Sequence, residues 1–165
     1  VSLSATTGDA LDSNGSISMT EGTVIVQGPQ SSPEVAMDYN GTFTLSGGLL
    51  IASGPNSGNM IQNVSSSSTQ YSVLVKFSSA VSAGTLISIQ NSSGTTLLTY
   101  APARTAYYIV YSSSSLQSGG SYKIYTEGSC TGATVTNGLY SGGTYSAGTQ
   151  KGSFTLSSKV STVTM

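Results

Sequence analysis

The tetrad Asp-x-Asn-Gly occurs twice, as Asp12-Ser-Asn-Gly15 and Asp38-Tyr-Asn-Gly41, 26 residues apart. A carboxylate, an amide and a glycine at this spacing suit two kinds of chemistry. One is oxygen ligation of a hard cation such as Ca²⁺. The other is an Asx-type turn, in which side-chain oxygens hold the backbone and Gly15 and Gly41 take positive φ. If the tetrads lie on neighbouring strands, Asp12 and Asp38 sit about 4.8 Å apart. Two carboxylates at that distance repel by roughly 1 kcal/mol in water, and more when partly buried. A bound cation turns that repulsion into coordination, with Asn14, Asn40 and backbone oxygens as further donors and Asp9 and Glu34 close by in sequence. Equally, Asn14 over Asn40 makes an ordinary amide ladder. The motif is too short to decide between the two.

Other chemistry is limited by what is missing. Histidine is absent, which removes Ser-His-Asp and Cys-His arrangements and most zinc sites. A polysaccharide lyase needs a basic group to take a proton, and residues 1–64 contain no Lys or Arg. The single Cys130 has no partner for an internal disulfide. No catalytic residue is expected, and the chain is not read as an enzyme. Ten tyrosines and no tryptophan remain. Aromatic rings stack on the C–H faces of sugars, and Tyr39, Tyr140 and Tyr145 are the candidates. Tyr39 replaces Ser13 in the repeat and is expected on the outside. Tyr140 and Tyr145 lie in the glycine-rich run Gly138-Leu-Tyr-Ser-Gly-Gly-Thr-Tyr145. For any single tyrosine, packing in a core is the competing explanation. On the stretch 106–111, Tyr108 must face opposite to Tyr107 and Tyr111 if that stretch is a strand.

These residues are positioned by a repeat. Residues 10–29 realign without a gap on residues 36–55: Asp12 meets Asp38, Asn14 meets Asn40, Gly22 meets Gly48 and Pro29 meets Pro55. Apolar positions coincide too, placing Ile17 over Phe43, Met19 over Leu45 and Ile25 over Ile51. A gap-free period of this size means stacked supersecondary units. Each unit reads as short strands with glycine turns, one coil of a parallel β-helix. The rhythm changes after the run Ser65-Ser-Ser-Ser68. Short β-rich runs follow at 71–77, 85–90, 95–100, 106–111, 121–126 and 153–157, separated by Ser/Gly turns, and predict a sandwich of roughly seven strands. The runs 71–77, 85–90 and 95–100 are expected to pair as consecutive hairpins. The resulting expectation is an all-β chain: β-helix coils over residues 1–64, a serine linker at 65–68, and a β-sandwich over 69–165.

The net charge is −1, unevenly distributed. Asp9, Asp12, Glu21, Glu34 and Asp38 lie in the first part, whereas Lys76, Arg104, Lys123, Lys151 and Lys159 all lie later. No basic run exists, so nucleic acid is not an expected partner, and no apolar run is long enough to insert into a membrane. The triplets at Asn14, Asn40, Asn63 and Asn91 match the N-glycosylation pattern, which matters only in a source that uses it. The start at Val1, almost inside a coil, is expected to mark a mature or truncated fragment. Exposed coil ends, together with an acidic first part and a basic second part, make head-to-tail self-association into a fibre or matrix the alternative function class.

The run Gly8–Pro29 with its second copy, the segment Gln62-Asn-Val-Ser-Ser-Ser-Ser-Thr-Gln-Tyr-Ser-Val73, the run 138–145 and the closing Ser153-Phe-Thr-Leu-Ser-Ser158 together resemble the C-terminal part of bacterial secreted carbohydrate-binding domain-containing proteins. The resemblance implies a right-handed parallel β-helix of two to three coils here, akin to polysaccharide lyases but without their activity. The sandwich that follows is expected to be immunoglobulin-like. It further implies an extracellular or cell-surface location, calcium as cofactor, and cellulose or an acidic plant polysaccharide as partner. Asp12, Asn14, Asp38 and Asp9 are the calcium-ligand candidates it implies, and Asn40 completes the set by the repeat. A family member has many coils; this chain has two and the start of a third.

Overall fold

The computed structural model describes residues 1–146 and 148–165. The chain is all-β, and its only described helix is a single 3-10 turn at Gly58–Met60. The repeat supplies β1 (Ser2–Ser4), β2 (Leu11–Ser13), β3 (Ile17–Met19), β4 (Thr23–Gln27), β5 (Met37–Tyr39), β6 (Phe43–Leu45) and β7 (Leu49–Gly54). β2 pairs in parallel with β5, β3 with β6, and β4 with β7. In every ladder residue i faces residue i+26: Asp12 faces Asp38, Ile17 faces Phe43, Met19 faces Leu45 and Ile25 faces Ile51. One repeat therefore contributes one strand to each of three ladders, and the 26-residue period is the vertical step.

Two glycine positions explain why the repeat tolerates this stacking. Gly22 and Gly48 both adopt positive φ, 83° and 89°, at the turn before β4 and β7, a conformation glycine reaches without a Cβ penalty. Gly41 is needed for a different reason. A Cβ there would meet Ser16 Oγ and lie 2.9 Å from the carbonyl oxygen of Gly15. The Gly15 and Gly41 backbones are not in the left-handed region expected of them; Gly41 serves close approach to the preceding repeat, whereas a Cβ at Gly15 would meet nothing nearer than Ser13 Oγ at 4.0 Å.

The later strands are β8 (Ser72–Val81), β9 (Ile87–Asn91), β10 (Thr96–Tyr100), β11 (Ala106–Ser112), β12 (Ser121–Thr126), β13 (Ser129–Thr131), β14 (Thr134–Thr136), β15 (Leu139–Ser141), β16 (Thr144–Ser146), β17 (Thr149–Thr155) and β18 (Val160–Thr164). They do not form a separate body on a linker. β11 pairs antiparallel with β7, so coil strands and later strands share one six-stranded sheet in the order β1-β4-β7-β11-β8-β18. A second six-stranded sheet, β14-β15-β10-β9-β12-β17, is antiparallel throughout.

The shared sheet is buried on both faces, and alternation along each strand sorts its side chains between two cores. Ile25, Ile51, Val73, Val75, Ile109 and Tyr111 join Ile87, Ile89, Tyr122 and Ile124 of the second sheet in one cluster. Val26, Leu50, Ala52, Leu74, Tyr108 and Val110 join Met37, Phe43 and Leu45 in the other, inside the coils. Tyr108 thus lies opposite to Tyr111, as strand alternation requires. Ile25 and Ile51 stack as the repeat predicts, yet they point away from Met37, Phe43 and Leu45 and toward the second sheet.

Two expectations are corrected. The runs 71–77 and 85–90 do not form a hairpin: β8 pairs with β11 and β18, while β9 pairs with β10 and β12 in the opposite sheet. β8 carries apolar side chains on both faces, so it fits only the doubly covered sheet, and the chain must cross over at 82–86. The serine run is structural and not a free linker. Ser65 Oγ accepts from Phe43 N–H at 2.9 Å and Ser68 Oγ accepts from Leu45 N–H at 3.0 Å. These hydroxyls satisfy β6 donors that would otherwise await a third coil.

Candidate functional site

Side-chain alternation on β2 and β5 places Met37 inward and Asp12 and Asp38 outward. Asp12 is exposed and Asp38 half-buried. The two carboxylates are direct cross-strand partners on a parallel ladder, one strand spacing apart. Asp38 Oδ1 accepts from Gln62 Nε2 at 2.9 Å, so an amide stands in the row below the two acids. The rest of the expected ligand set is engaged elsewhere. Asp9 Oδ1 accepts from Val35 N–H at 2.6 Å. Asn40 Nδ2 donates to Asn14 Oδ1 at 3.4 Å, the amide ladder. Among the described residues no three of His, Cys, Asp and Glu come together as a metal-holding group. The sequence-predicted ligands therefore reduce to one outward pair, Asp12 with Asp38, which can offer a cation two carboxylates and no more.

The three tyrosine candidates take different positions. Tyr39 is not outside the coil. Its ring meets Phe43 edge-on with centroids 5.9 Å apart, and its hydroxyl donates to the Asn63 carbonyl. The sequence difference from Ser13 has a packing reason: Tyr39 helps close the second coil, and its direction follows Met37 by alternation.

Tyr140 and Tyr145 meet at one place. β13 and β16 form a two-stranded ribbon in which Tyr145 faces Cys130, and β15 carries Tyr140 between β14 and β10. Beside them runs a groove of about 330 Å³, with Leu49, Thr96, Leu97, Leu139, Tyr140, Ser141 and Tyr145 among its lining. The glycines at 142 and 143, both with φ near 70°, turn the chain between the two tyrosine strands. Tyr145 is nearly buried at 9% exposure, its hydroxyl donates to the Glu127 carbonyl at 2.9 Å, and its ring lies tilted 6.4 Å from Tyr125. Burial first, then the Glu127 carboxylate, raises its pKa above the usual tyrosine value. Tyr145 is thus held in place, while Tyr140 is half-buried and, by alternation on β15, points to the face opposite Leu139 and Ser141.

Sequence reasoning missed the apolar half of this groove. Leu49 comes from the coil and Leu97 from β10, and they meet only because β7 enters the shared sheet. It also missed the clamp joining the repeat to the later strands. Gln27 donates through Nε2 to Asn137 O at 3.2 Å and accepts from Ala103 N–H at 2.8 Å, while Arg104 donates to Ser4 Oγ at 3.0 Å and Gly28 O at 3.3 Å. No short motif marks either residue.

Three other tyrosines are fully buried in the core. Tyr108 Oη accepts from Ala36 N–H at 2.8 Å, Tyr100 Oη bonds Ser53 Oγ at 2.9 Å, and Tyr111 Oη donates to Leu97 O at 3.1 Å. Burial pushes the Tyr100 pKa up to about 12, and pushes Tyr108 and Tyr111 up as well. No family model, no curated protein and no solved structure matches the chain.

Proposed function

We propose that this chain is a non-catalytic, extracellular carbohydrate-binding module. In this reading the coils are a short right-handed parallel β-helix and the remainder is an immunoglobulin-like sandwich. The observation that carries the proposal is a groove that brings aliphatic residues (Leu49, Leu97, Leu139), the aromatic residue Tyr140 and the hydroxyl residues Thr96 and Ser141 together in one lining. Such a mixture suits a pyranose, whose C–H faces pack on apolar surface while its hydroxyls exchange hydrogen bonds with a polar rim. The absence of histidine from the sequence supports binding without turnover. Calcium assistance belongs to the acidic-polysaccharide version of the proposal. Asp12 and Asp38 would hold the ion, and the sugar carboxylate and water would complete its oxygen shell.

The test is retention on cellulose and on polygalacturonate, with calcium and with chelator. Binding through the groove survives chelator and falls in Tyr140→Ala. Binding through the carboxylate pair vanishes in chelator and in Asp38→Ala. Retention on neither polymer in any condition refutes the carbohydrate proposal.

A further inference from the structure

We propose that Ser88, together with Thr99, is the polar anchor of the groove, where one hydroxyl of a bound sugar is held, and that Tyr145 is the cover over it. Ser88 is fully buried, and among the described residues its Oγ is the one buried side-chain oxygen or nitrogen without a hydrogen-bond partner. A buried hydroxyl in that condition costs stability. Alanine would fill the same place without the cost, so the hydroxyl calls for a use outside the resting fold.

β9 places this hydroxyl. Ile87 and Ile89 point into the core between the two large sheets, so Ser88 points to the outer face of the second sheet. Its register partners are Thr99 on β10 and Tyr125 on β12. Both share its face, because Leu98, Tyr100 and Ile124 beside them face the core. Cross-strand partners bring their Cβ atoms within about 5.5 Å, so the Ser88 hydroxyl stands one side chain away from Thr99. Thr99 is among the lining of the groove and is 4% exposed. Tyr140 turns to the same outer face, since Leu139, the register partner of Tyr100, packs toward the core. The row Tyr140, Thr99, Ser88, Tyr125 therefore sets two hydroxyls between two aromatic side chains. That composition fits a pyranose: rings take its C–H faces, and the hydroxyl pair takes one O–H.

An outward residue on a sheet face is buried only when something lies across it. Tyr145 reaches both neighbours of Ser88: it shares the groove lining with Thr99, and its ring centroid is 6.4 Å from that of Tyr125. It is carried by the β13–β16 ribbon, whose two strands pair with each other and with no other described strand. A two-stranded ribbon by itself is marginally stable. Its tie here is the bond from the Tyr145 hydroxyl to the Glu127 carbonyl. Gly128, Gly132, Gly142 and Gly143, which flank its strands, all take positive φ. Such a unit opens locally at less cost than the whole fold. Opening uncovers Ser88 and Thr99, and a sugar hydroxyl bonded to the pair favours the open form through differential affinity. Ser88 and Thr99 are then specificity-determining, because a saccharide without a hydroxyl at that point leaves Ser88 unpaired. This inference rests on the groove reading and adds the residues that select the sugar.

Calorimetric titration of the 165-residue chain with soluble cello- and galacturonate oligosaccharides tests the anchor. Ser88→Ala should melt at or above the Tm of the parent, because no bond is lost, yet bind about tenfold more weakly. Thr99→Val should weaken binding to a similar degree. A lower Tm in Ser88→Ala, or an affinity equal to the parent's, overturns the inference. The cover is tested without any sugar, by thiol labelling of Ser88→Cys in a Cys130→Ser background under native conditions. Labelling should outpace global unfolding, and should quicken about tenfold when Tyr145→Phe removes the bond to Glu127. Labelling only at the rate of global unfolding overturns the cover. If Ser88→Ala keeps the parent's affinity while Tyr140→Ala loses it, the anchor fails and the groove reading stands. If the parent takes up neither oligosaccharide, both fall together.

Discussion

Tyr108→Phe removes one oxygen from the junction between the repeat and the later strands. That oxygen accepts the Ala36 N–H at 2.8 Å, and Ala36 is fully buried. The ring stays in place, held against Gly54, where an added Cβ would lie 2.6 Å from the hydroxyl. The variant therefore leaves a buried backbone donor without a partner and changes little else. Such a donor costs about 1–3 kcal/mol, which in a chain of this size lowers Tm by roughly 2–4 °C per kcal/mol. Urea unfolding followed by circular dichroism measures the loss, with Tyr107→Phe, on the neighbouring half-buried tyrosine, as control. The control should stay within about 0.5 kcal/mol of the parent. Because the lost bond spans residues 36 and 108, both regions should weaken together in a single transition. A Tyr108→Phe loss no larger than the control, or two separate transitions, would refute the shared-sheet reasoning.

Phe43→Ala should cost about 3–5 kcal/mol in a chemical melt, since the residue is 1% exposed among Met37 and Leu45. Stability should also fall as pH rises above 10. The unfolded Tyr100 ionises near 10, whereas the folded one keeps its proton to about 12. Its contribution is thus fully present below 10 and lost on passing 12, a span of two pKa units worth roughly 2–3 kcal/mol, and the slope between those values should flatten in Tyr100→Phe. Calcium in excess should raise Tm if Asp12 and Asp38 hold it, by mass action on the folded state, and this rise should disappear in Asp38→Ala. Identical melts in calcium and in chelator would leave the pair as a solvent-facing part of the ladder.

The vertical register was legible because it is written twice: identical spacing of Asp12 and Asp38, and of Gly22 and Gly48, can only mean residue over residue. The sharing of one sheet by repeat strands and later strands was not. Pairings such as Ile51 with Tyr111 join segments with no sequence likeness, and an isoleucine that faces the sandwich reads the same as one that faces the coil. Tyr39 misled for a related reason. Its counterpart Ser13 sits on the open coil, so comparing the two copies revealed a difference between coil ends and not an outer surface. The glycine-rich run containing Tyr140 and Tyr145 did identify one wall of the groove. The opposite wall depends on Leu49 and Leu97, which only the long-range pairing brings near.

The central claim is that a saccharide occupies the groove beside Tyr140. Amide chemical-shift mapping on isotope-labelled protein, titrated with soluble cello- and galacturonate oligosaccharides, tests it most directly. The account predicts saturable shifts confined to 96–99, 139–145 and Leu49, lost in Tyr140→Ala. Shifts confined to Asp12 and Asp38, or none at saturating oligosaccharide, would contradict it.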